Sequence, residues 1–111
     1  MKLPGLPTFI LAMTFASTAP LMQAKPPQAH VAYAGGDGSS YEKAIIVKAA
    51  DEQTGVHAEY QYLDKHFPGN KRGGQSLQSS GGKSYDVLEF TTAKGEAKKL
   101  YFDITAFFGK G

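Results

Sequence analysis

The spacing of apolar residues changes along the chain, and each spacing predicts a different element. From Leu6 to Ala19 the residues are mostly apolar with no period, preceded by Lys2 and followed by a short segment that ends at Ala24. A lysine, an apolar core and a small residue in that order predict a secretory signal peptide over 1–24. The core is shorter than the roughly 20 apolar residues that cross a bilayer as a helix, and Pro7 and Pro20 bracket it. Cleavage is expected after Ala24, because a cut after Ala19 would place Pro20 at the scissile bond.

Ala44-Ile-Ile-Val-Lys-Ala49 is a β-branched apolar run and predicts a buried strand. After it the period lengthens. Val56, Tyr60, Leu63 and Phe67 fall at i, i+4, i+7 and i+11, one stripe of an amphipathic helix with Asp51 as its N-cap and Pro68-Gly69 as its stop. Gly55 weakens the first turn by on the order of 1 kcal/mol relative to Ala, so that turn is expected to fray or to pack tightly on a neighbour.

Asn70-Lys-Arg-Gly-Gly74 is expected to be a solvated loop, and Gln75-Ser-Leu-Gln-Ser79 a modest strand. Period two then returns in Lys83–Thr92 and Ala97–Thr105, with turns at Ser80-Gly-Gly-Lys83 and Lys94-Gly95. Leu100, Phe102 and Ile104 share the core face, while Lys99, Tyr101 and Asp103 are expected on a largely wet one. Phe107-Phe108 should fold back over the sheet's end. The fold class is α+β, one helix on a mainly antiparallel sheet of about four strands in the order β-α-β-β-β. The domains are 1–24 signal peptide, 25–32 flexible leader and 33–111 a single α+β domain.

Composition narrows the function classes. The 111 residues contain no cysteine, which in an exported chain removes disulfides, thiol nucleophiles and lipidated thiols. Loss of 1–24 takes away Lys2 alone, leaving 87 residues with 11 basic and 10 acidic side chains, net +1. Such a balance offers nucleic acid or an anionic membrane no electrostatic footprint.

Candidate chemistry is sparse. Gly35-Gly-Asp-Gly-Ser-Ser40 lacks the Lys-Ser or Lys-Thr that completes a phosphate loop and is expected to be a structural turn, with Glu42 bracing it. On the helix, Glu59 and His66 are seven residues apart, roughly 10 Å along the axis; they cannot share a metal, nor can His57 and Asp64. These four are expected to be exposed. The serines at 39, 40, 76, 79, 80 and 84 have no nucleophile-elbow context. Asp86, Glu89 and Asp103 lie on paired strands and are expected to face water, although two of them could flank a groove as acid and base. Tyr62 and Tyr101 are expected to point away from the core as contact residues.

Two resemblances carry further expectations. The element order resembles the cystatin-like fold, whose inhibitors place a leading glycine and a Gln-x-Val-x-Gly turn against cysteine proteases; here Gly35-Gly36 and Gln78-Ser-Ser-Gly-Gly82 stand there, with Ser80 in place of the valine. Gly36-Asp-Gly-Ser-Ser-Tyr-Glu-Lys-Ala-Ile-Ile46, Gly55–Tyr60, Tyr85–Glu89 and Tyr101-Phe-Asp-Ile-Thr-Ala-Phe-Phe-Gly109 are together similar to a group of short secreted bacterial proteins of unknown function. That similarity implies a bacterial envelope protein, secreted or periplasmic, and carries no activity. The reading is a non-catalytic binding module for an unknown protein or cell-wall ligand, through Asp37, Ser39, Ser40, Glu42, Tyr62 and Tyr101. No metal, cofactor, nucleic acid or stable membrane span is expected. The alternatives are a small hydrolase using strand carboxylates and a cystatin-like inhibitor.

Overall fold

The computed structural model describes residues 30–111; the expected signal peptide and residues 25–29 of the leader lie outside the described residues. Six elements follow in order: β1 (Ala32–Gly35), β2 (Ile45–Lys48), α1 (Glu52–His66), β3 (Lys71–Ser80), β4 (Lys83–Thr91) and β5 (Ala97–Asp103). The fold is α+β, with one helix on one five-stranded sheet in the order β1-β2-β5-β4-β3. The sheet is mixed. β2 pairs with β5 in parallel, and the other neighbours pair antiparallel.

This sheet corrects the expectation of four mainly antiparallel strands. The added strand is β1, Ala-Tyr-Ala-Gly, whose residues are all exposed and which therefore carries no apolar period to read. Backbone pairing makes it a strand. Gly36 N donates to Ala44 O at 3.0 Å and Gly38 N to Lys43 O at 2.7 Å, so the loop returns along β2 as a hairpin. Tyr101 N donates to Gly38 O at 2.8 Å, which fastens the same loop to β5.

The helix starts where Asp51 accepts from Thr54 N at 2.8 Å and ends with Phe67 N on Leu63 O at 2.8 Å. Its buried residues are Gly55, Ala58, Glu59 and Leu63, with Val56, Tyr60, Tyr62 and Phe67 on the flanks. The buried face is thus turned roughly a quarter of the circumference from the expected stripe, at 3.6 residues per turn. Small side chains explain the rotation. A Cβ on Gly55 would collide with the ring of Phe107, so only glycine lets the first turn sit on that ring.

The C-terminal segment folds back as expected, burying Phe107 and leaving Phe108 exposed. It also closes the helix start: Glu52 N donates to Lys110 O, and the Glu52 carboxylate accepts from Gly109 N, both at 2.8 Å. Between helix and sheet lie Ile45, Val47, Leu88, Phe90, Leu100 and Phe102.

The opposite face of the sheet is drier than alternation suggests. Tyr85, Val87 and Asp103 are buried there, and Tyr41 from the β1–β2 loop stands edge-on to Tyr85 and Tyr101, each centroid 4.9 Å away. Asp103 accepts from Thr105 N at 3.0 Å and Thr105 Oγ1 at 2.6 Å.

Candidate functional site

The segment expected to be a loop, Asn70 to Gly74, instead opens β3, and its two glycines set the geometry of the site. Arg72 pairs with Phe90 and Gln75 with Leu88, so three steps on β3 match two on β4. One extra residue is a β-bulge. In a regular strand, residues three apart point to opposite faces; the bulge at Gly73-Gly74 turns Arg72 and Gln75 to the same face, toward the helix. A Cβ on Gly73 would lie 2.8 Å from Glu89 O, which accounts for the glycine.

Both side chains meet Tyr60. Its hydroxyl donates to Gln75 Oε1 at 2.9 Å, and the Arg72 guanidinium lies 4.4 Å from its ring centroid. Arg72 also donates to Asp64 Oδ2 at 2.9 Å, and Asn70 Nδ2 donates to Asp64 Oδ1 at 3.0 Å. Hydrogen bonds from Asn70 and then Arg72 hold the Asp64 carboxyl below its ordinary range. The network ties the outer flank of α1 to the edge strand. Along it runs an open groove of about 840 Å³ lined by Val56, His57, Tyr60, Gln61, Asp64 and Arg72, with the chain's last two residues at one end.

Inside this network sits an acid pair. Glu59 is 0% exposed and neither carboxyl oxygen has a hydrogen-bond partner. Asp86 on β4, 5% exposed, points to the same interface, since its register partner Phe102 belongs to the core face. Burial first, and then the neighbouring Asp86 carboxyl, push the Glu59 pKa up to about 10. Asp86 acts on Glu59 at close range, although no hydrogen bond of ordinary geometry joins them. The expectation that Glu59, Asp86 and Asp103 are exposed is therefore corrected: the first two are enclosed between α1 and β4, and the third is bound by Thr105. Glu89 does face water, but it pairs with Lys99 while Asp103 pairs with Tyr85. Four strand positions, about 13 Å, separate those two acids, and Asp86 lies on the other face, so the three do not flank one groove.

The residues expected to bind are divided by the fold. Asp37, Ser39 and Tyr101 come together around a cavity of about 470 Å³ that also has Phe67, Lys98 and Lys99 in its wall. Asp37 is committed to the turn, accepting from Ser39 N at 3.0 Å and Ser39 Oγ at 2.7 Å, which lowers its pKa. Ser40 Oγ accepts from Lys43 N at 3.2 Å. Glu42 is exposed and lines neither cavity. Tyr62 does not stand free; its ring lies edge-on to Phe102 at 5.7 Å and stacks on His66 at 4.0 Å. Tyr101 is half-buried against Tyr41.

The residue pattern gives no direct sign of the roles of Arg72 and Gln75, and although Asp64 is exposed as expected, its bonds to Arg72 and Asn70 were not expected. The available signal was the Gly-Gly pair between a basic residue and a strand, which marks a bulge as readily as a loop. Among the described residues no group of three or more His, Asp or Glu side chains could hold a metal ion, and no helix is long and apolar enough to cross a membrane. No protein-family model, curated protein or solved structure matches the chain.

Proposed function

We propose that this chain is a small exported protein of the bacterial envelope that acts as a non-catalytic binding module, with the groove between α1 and β3 as its main contact surface. The observation that carries this reading is the groove's make-up. A tyrosine, an arginine, an imidazole and an amide line one concavity on a rigid helix and strand, the kind of side chains that dominate binding surfaces. Export rests on the segment 1–24, and the envelope on the similarity of the Gly36–Ile46 and Tyr101–Gly109 motifs to secreted bacterial proteins.

The ligand is an envelope protein or a cell-wall polymer. The smaller cavity with Asp37, Ser39 and Tyr101 is a second contact patch on the same domain. Affinity capture from envelope extracts tests the reading in two arms. His57→Ala with Gln61→Ala, both exposed groove residues, should reduce capture of a partner at least tenfold with the thermal midpoint unchanged. Lys98→Ala with Lys99→Ala should reduce it less. Capture lost only in the second arm would move the site to the smaller cavity. Turnover of a cell-wall or peptide substrate by the purified protein would replace the binding reading with the hydrolase one.

A further inference from the structure

The acid pair inside the fold has no part in the groove's binding surface and calls for its own explanation. Glu59 is among the largest fully enclosed side chains of the domain, in company with Phe102, Phe107 and Leu63. A carboxylate there would be an uncompensated buried charge, which proteins avoid by pairing it or by keeping it neutral. Among the described residues neither Glu59 nor Asp86 has a cationic partner; the ion pairs are Arg72–Asp64 and Lys83–Asp103.

The groups around Glu59 leave it nothing but Asp86. From β1, Tyr33 comes close, but its hydroxyl donates to Ala58 O at 2.9 Å. From α1 itself, the Tyr60 hydroxyl is used by Gln75, and Tyr62 stacks on His66. From β3, Arg72 stays at the surface on Asp64 and over the outer ring of Tyr60. β2 and β5 present Ile45, Val47, Leu100 and Phe102, none of which titrates. Burial, then Tyr62 and then the Glu59 charge raise the pKa of Tyr33, and burial and then Glu59 raise that of Tyr60; an ionised tyrosine would itself be an anion, so neither offers Glu59 a compensating charge.

We propose that Glu59 and Asp86 hold one proton between them, and that this proton is a structural ligand that allows α1 to dock on the β4 side of the sheet. The proton makes one unpartnered Glu59 oxygen a donor toward Asp86 and removes one of two like charges from the interface. Loss of the proton to water leaves both acids ionised side by side, and the helix must then lift to hydrate them. The domain is thus a proton-linked fold whose helix loosens as pH rises. This inference is independent of what the groove binds.

The folded state raises the pKa of Glu59, so its contribution is fully present below the ordinary value near 4.5 and is lost progressively toward about 10. Within that window the folding constant should fall by up to tenfold per pH unit. The test is denaturant unfolding of the wild type and of Glu59→Gln from pH 5 to pH 9. Glu59→Gln keeps the shape and removes the titration, so its stability should be nearly flat where that of the wild type declines, and the two curves should diverge as pH rises. Titrating groups away from the pair are common to both proteins and cancel in the difference. Parallel curves would overturn the proposal. Should Glu59→Gln fail to fold, the infrared carbonyl band of a protonated carboxyl in the folded wild type at pH 8 decides the matter: its presence supports the shared proton and its absence refutes it. Stabilisation of the wild type by millimolar calcium at pH 9, absent in Asp86→Asn, would assign a cation to the pair and overturn the proton.

Discussion

Two acids five residues apart on the same helix behave in opposite ways. Asp64 sits half-exposed on the outer flank, where Asn70 and Arg72 bond it and stabilise its charge. Glu59 sits one and a half turns earlier on the inner face, with no donor and a second carboxyl beside it. Residue type does not decide the charge state; the angle around the helix does. At 100° per residue the five-residue step turns Asp64 well away from Glu59, carrying one acid into water and arginine and the other into the core. Their linkage to pH has opposite signs as well. The lowered pKa of Asp64 contributes stability that is present above its ordinary range near 3.8 and lost as pH falls through the folded value. The raised pKa of Glu59 contributes stability that is present in acid and lost as pH rises.

The first way to break this comparison is to remove the apolar packing that defines the inner face. Leu63 is fully buried one turn beyond Glu59, and Leu63→Ala should cost about 2 to 5 kcal/mol, read as a lower denaturant midpoint. In a domain this small that is a large part of the whole stability. An unchanged midpoint would place Leu63, and with it Glu59, on the wrong face.

The second change acts on the same face through volume. Gly55→Ala adds a methyl group against the Phe107 ring, and overpacking of this kind costs about 1 to 3 kcal/mol. The gain in helix propensity, about 1 kcal/mol, offsets part of it. Combining Gly55→Ala with Phe107→Leu should recover stability relative to Gly55→Ala alone, since the ring is the obstacle. A stabilising Gly55→Ala would show that the helix start is free of that ring.

The smallest effect belongs to the outer flank. Arg72→Ala removes the ion pair to Asp64 and the contact over Tyr60, but both charged side chains are more than half exposed. Exposed pairs contribute little and are screened by salt. The change in thermal midpoint should therefore be slight and should shrink further in high salt. A large, salt-independent loss would mean that the outer network, and not the inner face, holds the helix to the sheet.

Much of the frame could be read in the residues, and the exceptions have physical causes. The Asp51 cap, the buried run at Ile45–Val47, the alternation of Leu100, Phe102 and Ile104, and the Gly81-Gly82 turn with both residues at positive φ are local signals with local causes. Strand β1 has no such signal, because it is an exposed edge held by backbone pairing with β2 and by the Tyr33 side chain, whose hydroxyl bonds Ala58 O and whose ring meets Tyr62. The bulge at Gly73-Gly74 was hidden because adjacent glycines serve a loop and a bulge equally well. Glu59 was the hardest case. In a periodic pattern a glutamate marks the wet side of a helix, and the true inner face is marked by Gly55 and Ala58, whose smallness a hydrophobicity pattern does not reward. The burial of Asp86 was hidden by its residue type alone: an acid reads as outward, although alternation along the strand places Asp86 on the same face as Leu88 and Phe90. Of the expected contact residues, Asp37, Ser39 and Tyr101 do meet, since the loop that carries two of them is bonded to the strand that carries the third.

The most direct test of the difference between the two acids is a side-chain carboxyl titration by nuclear magnetic resonance, following Glu59 and Asp64 in the same sample of folded protein. Glu59 should remain protonated through pH 7 and lose its proton only on the way to about 10, or together with loosening of the helix, while Asp64, held by Asn70 and Arg72, should titrate below its ordinary range. A Glu59 carboxyl that titrates near the ordinary 4.5 in the folded protein, in step with exposed glutamates, would contradict the buried, proton-bound inner face.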